Sequence, residues 1–347
     1  MTTTVSRELA RALPKAELHC HLDGSIRPAT LLELAREYGQ PLPASTPEAL
    51  TRVMTARDVR DLDDYLSRFD ITLSVMQTAD ALGRIAYELM EDAASDGVRY
   101  IEIRFCPALN VRGSLSLADV MDAVLRGIAL AERDHDVLGR VIVCALRSMP
   151  PALSRELAEL AVEYRGRGVV GFDLAGGEHG NPAAAHAAAF DLARRAGLAV
   201  TVHAGEAYGP KSIRQAVFDL CTDRIGHGTR LYEDADLASY VIDRRITLEI
   251  CLTSNVQTHV VPAYEAHPLR SYFDHRMSVT LNTDNRLISG TTLTDEYLHA
   301  ARALDFTLHE LGEIAIESFA AAFLPWETRR TLMEEARREI AALTAAR

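Results

Sequence analysis

Eight short apolar, β-rich runs, each followed by a segment of helical periodicity, restrict the folds open to this chain more than any other feature. The runs are AELHCHL (16–22), VRYIEIRF (98–105), RVIVCAL (140–146), VVGFDLA (169–175), AVTVHAG (199–205), DRIGHG (223–228), TLEICLT (247–253) and MSVTLNTD (277–284). Most are nearly continuous in apolar residues, as parallel strands covered on both faces must be. Amphipathic stretches such as DALGRIAYELMEDAASDG, LADVMDAVLRGIALAERD and AAAHAAAFDLARRAG lie between them. This alternation predicts an α/β fold, a (β/α)8 TIM barrel. The first crossover, 29–97, is too long for one helix and is expected to add helices over the barrel mouth. Residues 293–347 read as wholly helical and are expected to pack outside the barrel. With no low-complexity linker or repeat, residues 1–347 are expected to form a single domain.

Composition narrows the partners. The 347 residues carry a formal net charge of −12 and no Lys/Arg-rich run, so nucleic acid and anionic membrane surfaces would be repelled. The N-terminal MTTTVSRELARALPKAELH lacks the apolar core of a secretory signal. No stretch of about 18 apolar residues occurs that could span a membrane. The five cysteines, Cys20, Cys106, Cys144, Cys221 and Cys251, are scattered and form no CxxC pair. They read as reduced, mostly buried thiols of a cytoplasmic protein.

The polar residues within the runs gather at their C-terminal ends: His19, His21, Arg104, Asp173, His203, His227 and Asp284. In a barrel of this kind that face carries the chemistry. His19-Cys20-His21 puts two imidazoles on one face of a strand, where both can converge on a cation. Alone, the pair serves packing as readily as metal binding. With His203 in HAGE and Asp284 in NTDN it makes three imidazoles and a carboxylate, a set that suits Zn²⁺ best and leaves Fe²⁺, Co²⁺ and Mn²⁺ open. Glu206 sits three residues past His203, either as a proton carrier beside the ion or as a cap on the next helix. His227 in RIGHG is flanked by glycines that allow close backbone approach.

The chain resembles the adenosine deaminases of the amidohydrolase superfamily. The resemblance rests on HCHLDGSIRPATLLELA, YIEIRFCPALN, GFDLAGGE, TVHAGE, RIGHGT, EICLTSNVQTHVV with EAHPL, and TLNTD, in the family's order from His19 to Asp284. It implies one zinc ion per chain held by His19, His21, His203 and Asp284. It further implies a zinc-activated water that attacks C6 of a purine. Glu206 matches the acid that protonates N1. His227 matches the residue that orients the water and assists its deprotonation, and Asp284 also contacts that water. Ammonia then leaves, turning adenosine into inosine.

Substrate contacts follow from the same resemblance. Besides His21, Gly176 matches the residue whose backbone N–H meets N3 of the base. Asp23 matches the carboxylate on the ribose 5′-hydroxyl, with a turn role in LDGS as its alternative. Leu62, Tyr65, Leu66 and Phe69 match an apolar lid, although the same spacing also describes plain core. Asn285 departs from the pattern, because many relatives carry a second aspartate there, bound to N7. A carboxamide donates to N7 directly, without needing a proton of its own. The only lysines are Lys15 and Lys211, and neither lies at the end of the fourth strand, where binuclear relatives place a carboxylated lysine. A single metal is therefore expected. The expected partner is a small purine nucleoside, with adenine, 6-aminodeoxyfutalosine or another 5′-modified adenosine as alternatives. Asp23 would repel a 5′-phosphate, which disfavours nucleotides. The cytidine-deaminase signature, HxE with PCxxC, is absent. A non-catalytic nucleoside-binding barrel is the remaining alternative.

Overall fold

The computed structural model describes residues 5–56, 59 and 62–345, apart from the side chains of Leu62 and Asp63. Its centre is a sheet of eight parallel strands in sequential order. They are β1 (Lys15–His21), β2 (Val98–Phe105), β3 (Leu138–Leu146), β4 (Val169–Ala175), β5 (Ala199–Ala204), β6 (Arg224–His227), β7 (Thr247–Ile250) and β8 (Val279–Leu281). Just past β8 the chain pairs with β1 through a bridge between Cys20 and Asp284. The His21 amide donates to the Asp284 carbonyl at 2.7 Å, and the Asp284 amide donates to the His19 carbonyl at 3.0 Å. That seam closes the (β/α)8 TIM barrel and sets the end of β1 beside the end of β8.

The eight predicted strands all exist, but two end early. In TLEICLT the strand stops at Ile250, and Leu252 already opens a helix, Leu252–Gln257. The run MSVTLNTD keeps only three residues as a regular strand. The expected crossover helices are present: Pro28–Glu37, Pro47–Met54, Leu62–Leu66, Phe69–Leu73 and Ala79–Ser95. The C-terminal part forms three helices, Leu293–Ala303, Leu308–Ala321 and Trp326–Ala345, while residues 346 and 347 lie outside the described set. A short helix, Arg7–Ala12, precedes β1 and was not expected. Its C-terminal carbonyls are satisfied by Lys15, whose Nζ donates to Ala10, Leu13 and Arg11 oxygens at 2.9–3.0 Å. Lys15 therefore serves the start of β1, the end opposite His21.

The barrel interior is polar rather than a stack of aliphatic layers. Glu102, Arg104, Asp173, Thr201, Arg224 and Glu249 are all buried. Side chains from β2, β4, β5, β6 and β7 can meet only inside the barrel. At its lower end the turn after Leu308–Ala321 plugs the opening. The Phe323 amide donates to Glu102 at 2.6 Å, and the Arg224 guanidinium lies 3.5 Å from the centre of the Phe323 ring.

Candidate metal centre and active site

His19 and His21 leave β1 on one face, His203 comes from β5, and Asp284 follows β8. One ligand atom from each lies within 4.8 Å of every other, and all four residues are buried or nearly so. His19 Nε2 and His21 Nε2 lie 3.4 and 3.5 Å from Asp284 Oδ1, and His21 Nε2 lies 3.1 Å from His203 Nε2. Gly226 makes this crowding possible. A Cβ there would meet His203 Cα at 3.1 Å and His19 Cε1 at 3.2 Å. Asp284 (φ 60°) and His227 (φ 62°) both hold left-handed backbone conformations, a cost that non-glycine residues accept where a side chain must be aimed.

The ring orientations are set from behind. Glu249 Oε2 lies 3.0 Å from His19 Nδ1, and Asp173 lies 3.1 Å from His203 Nδ1. Each carboxylate accepts a hydrogen bond from Nδ1–H, which leaves an Nε2 lone pair facing inward. Arg104 joins the two acids, reaching Asp173 at 3.0 Å and Glu249 at 2.8 Å. Burial alone would raise Glu249, but Arg104 and Arg224, aided by His19, hold it well below the usual carboxylate range. Burial pushes His21 and His203 down, so both rings are neutral ligands. His19 Nε2 is buried without a hydrogen-bond partner. An unpartnered ring nitrogen among two other lone pairs and a carboxylate is the donor set a tetrahedral divalent cation completes, so these residues fit zinc.

Beside this cluster, Glu206 Oε2 lies 3.7 Å from His227 Nε2, and the Thr258 hydroxyl lies 3.4 Å from Glu206 Oε1. Burial, reinforced by the charges of Asp284 and Glu178, raises the Glu206 carboxyl well above its ordinary value. The turn carrying Glu206 is clamped by Glu178, whose two oxygens accept the amides of Gly205, Glu206, Ala207 and Tyr208 at 2.9–3.3 Å.

The residues enclose a cavity of about 40 Å³ lined by His21, His203, Glu206, His227, Asp284 and Asn285, with Gly176 in its wall. Tyr65, Leu66 and Phe69 also line it, as the lid reading expects, while the Leu62 side chain lies outside the described residues. Asn285 donates to the Tyr65 hydroxyl at 2.8 Å, and that hydroxyl also meets Ser289 at 2.8 Å. The lid position read as apolar thus carries a polar anchor. Asp23 is buried 4.0 Å from His21 Nδ1, with one carboxylate oxygen unpartnered and its pKa raised by burial to about 7. Cys106 packs against Met149 and is not among the cavity-lining residues.

The sequence profile of the family described as "Adenosine deaminase" matches residues 14–339. This chain belongs to the adenosine deaminase family. An adenosine deaminase of Mycobacteroides abscessus is 44% identical over 340 residues, covering 93% of each chain. Among solved structures, an adenine deaminase from Arthrobacter aurescens superposes with a TM-score of 0.88 at 27% identity, over 94% of this chain and 99% of that one. An amidohydrolase from Burkhoderia ambifaria with bound Zn gives a TM-score of 0.90 at 26% identity, covering 100% and 95%. The Arabidopsis protein ADAL complexed with IMP gives 0.86 at 29%, covering 96% and 99%. The protein is therefore a hydrolytic deaminase of a metal-dependent family.

In this deaminase several site residues escape a reading of the sequence alone. Glu249, Glu178, Asn255 and His267 carry no role there, and Arg104 and Asp173 appear only as polar strand ends. Charged residues inside otherwise apolar strand runs, as in TLEICLT, are the signal that finds the first of them.

Proposed function

We propose that the enzyme converts adenosine and 2′-deoxyadenosine to inosine and 2′-deoxyinosine with release of ammonia, as a cytoplasmic enzyme of purine salvage. The observation that carries this reading is the buried Glu206 carboxyl facing the same cavity as His21, His203, His227 and Asp284. His19, His21, His203 and Asp284 would hold one zinc ion, which supplies the Lewis acidity that makes water a nucleophile at neutral pH.

The chain's own groups do the rest. Glu206 gives its proton to N1, which draws electrons away from C6 so that it can accept an oxygen. A C6–O bond forms and the C6–N6 bond breaks; of the two protons the water loses, one goes to the amino nitrogen, which leaves as ammonia, and one restores the Glu206 carboxyl. His227 Nε2 faces the same space and orients the incoming oxygen. Asn285, with one N–H given to Tyr65, has a second N–H for N7. Gly176 offers its backbone to N3. The unpartnered oxygen of Asp23 suits a hydroxyl donor such as the ribose 5′-OH, which favours a nucleoside over free adenine.

The test is a screen of adenosine, 2′-deoxyadenosine, 5′-modified adenosines, adenine and AMP, read as the ultraviolet change and as ammonia released, with metal analysis of the same sample. Adenosine turnover at one zinc per chain, reduced by about 10²–10⁴-fold in Glu206→Gln, is the expected outcome. Binding without turnover by the metal-loaded protein would overturn it.

A further inference from the structure

A chain of hydrogen bonds behind His227 decides which of its nitrogens carries the proton. It starts at a group that cannot change its role, the backbone N–H of Leu269, which donates to His267 Nδ1 at 3.0 Å. That nitrogen must present a lone pair. His267 is buried, and burial pushes its pKa down to about 3, so the ring is neutral and its single proton is on Nε2. His267 Nε2 lies 3.2 Å from Asn255 Oδ1, and the Thr229 hydroxyl donates to the same oxygen at 2.8 Å. Two donors converging on one atom fix it as the carbonyl oxygen of the amide. The other end of Asn255, its NH₂, therefore faces His227 Nδ1 at 3.1 Å. Asn255 is fully buried, so no water substitutes for any of these partners.

We propose that Asn255, oriented by His267 and Thr229, is a positioning residue that locks neutral His227 as the Nε2–H tautomer. The inference rests on the reading that His227 serves the deamination site. Its consequence is specific. With a proton already on Nε2, His227 offers a hydrogen bond into the cavity and has no lone pair there to take a proton. It can therefore orient the attacking oxygen, but it does not deprotonate it. Reversing the amide would reverse the tautomer, and the site would lose its donor.

The experiment is two-bond proton–nitrogen correlation NMR on the protein as isolated, with isotope-labelled histidine, which separates Nε2–H from Nδ1–H rings without substrate. The His227 resonance is identified by its loss in His227→Asn. The wild-type His227 should show the Nε2–H pattern, and Asn255→Asp, which puts an acceptor against Nδ1, should move the proton to Nδ1. In parallel, kcat for adenosine should fall by about 100-fold while KM stays within about threefold, the mark of a lost donor rather than a lost binding pocket. A wild-type Nδ1–H ring, or an Asn255→Asp ring that keeps Nε2–H, overturns the proposal. If Asn255→Asp does not fold, the wild-type spectrum decides by itself. Because the tautomer is read without turnover, its failure is distinguishable from a wrong substrate assignment.

Discussion

Replacing Gly226 by alanine puts one methyl group between two proposed metal ligands. Gly226 pairs with His203 across β5 and β6, so the His203 backbone cannot retreat without breaking the ladder. The new Cβ would stand 3.1 Å from His203 Cα, 3.3 Å from His203 Cγ and 3.2 Å from His19 Cε1. Carbon–carbon contacts settle at about 3.5–4.0 Å, so the His19 ring must give way by about 0.3 Å or more and the His203 ring by about 0.2 Å or more. His19 is pinned behind by Glu249 at 3.0 Å and His203 by Asp173 at 3.1 Å, which leaves rotation as the main relief. Metal–ligand distances tolerate about 0.2 Å, so the shift exceeds what the site absorbs. Disturbing ring orientation by this amount should weaken zinc about 10–100-fold, or about 1.4–2.8 kcal/mol. Overpacking should also cost the metal-free fold about 1–3 kcal/mol. Zinc affinity measured by competition with a chromophoric chelator, beside denaturant unfolding of the metal-free protein, separates the two effects. A Gly226→Ala protein that binds zinc within about threefold of the parent would refute the geometry argued for the centre.

Three further outcomes follow from the buried network. Glu249 accepts from His19, Arg104, Arg224 and Thr201 at 2.6–3.0 Å, and a glutamine has one oxygen where the carboxylate has two. Glu249→Gln should lose about 3–5 kcal/mol in denaturant unfolding because Arg104 and Arg224 keep buried charges, and a loss under about 1 kcal/mol contradicts this. His267 takes up its proton near pH 6.5 when unfolded but only at about 3 when folded, so across that window the unfolded chain binds more protons and stability falls as pH drops. His267→Phe should flatten that slope by up to about 1.4 kcal/mol per pH unit, and equal slopes in wild type and variant exclude the mechanism. Asn285→Ala should lose the preference for adenosine over 7-deazaadenosine, which lacks N7, while Asn285→Asp should retain it only in its protonated form. Unchanged selectivity in both variants removes the N7 contact.

What was legible in the sequence follows a pattern. The strand periodicity carried the barrel, because parallel strands buried on both faces must be written in apolar residues. His19, His21, His203 and His227 stood out because polar groups at the ends of such runs have few structural reasons to be histidine, and Asp284 stood out beside them at the end of the eighth run. Where the reading slipped, local context competed with burial. CLT in TLEICLT is as apolar as a strand, yet it opens a helix because the barrel wall ends at Ile250. The helix Arg7–Ala12 is too short to show a period and depends on caps from Ser6 and Lys15.

Composition and pattern thus determined which chemical groups this chain owns and at which end of the barrel they emerge. The tertiary structure alone decided how each is aimed and charged. Glu249 lies 230 residues from His19 and Glu178 lies 28 from Glu206, separations across which no periodicity relates one side chain to another. Whether a carboxyl holds its proton, or an imidazole its lone pair, depends on burial and on neighbours a few ångströms away. Those neighbours exist only once the eight strands have closed.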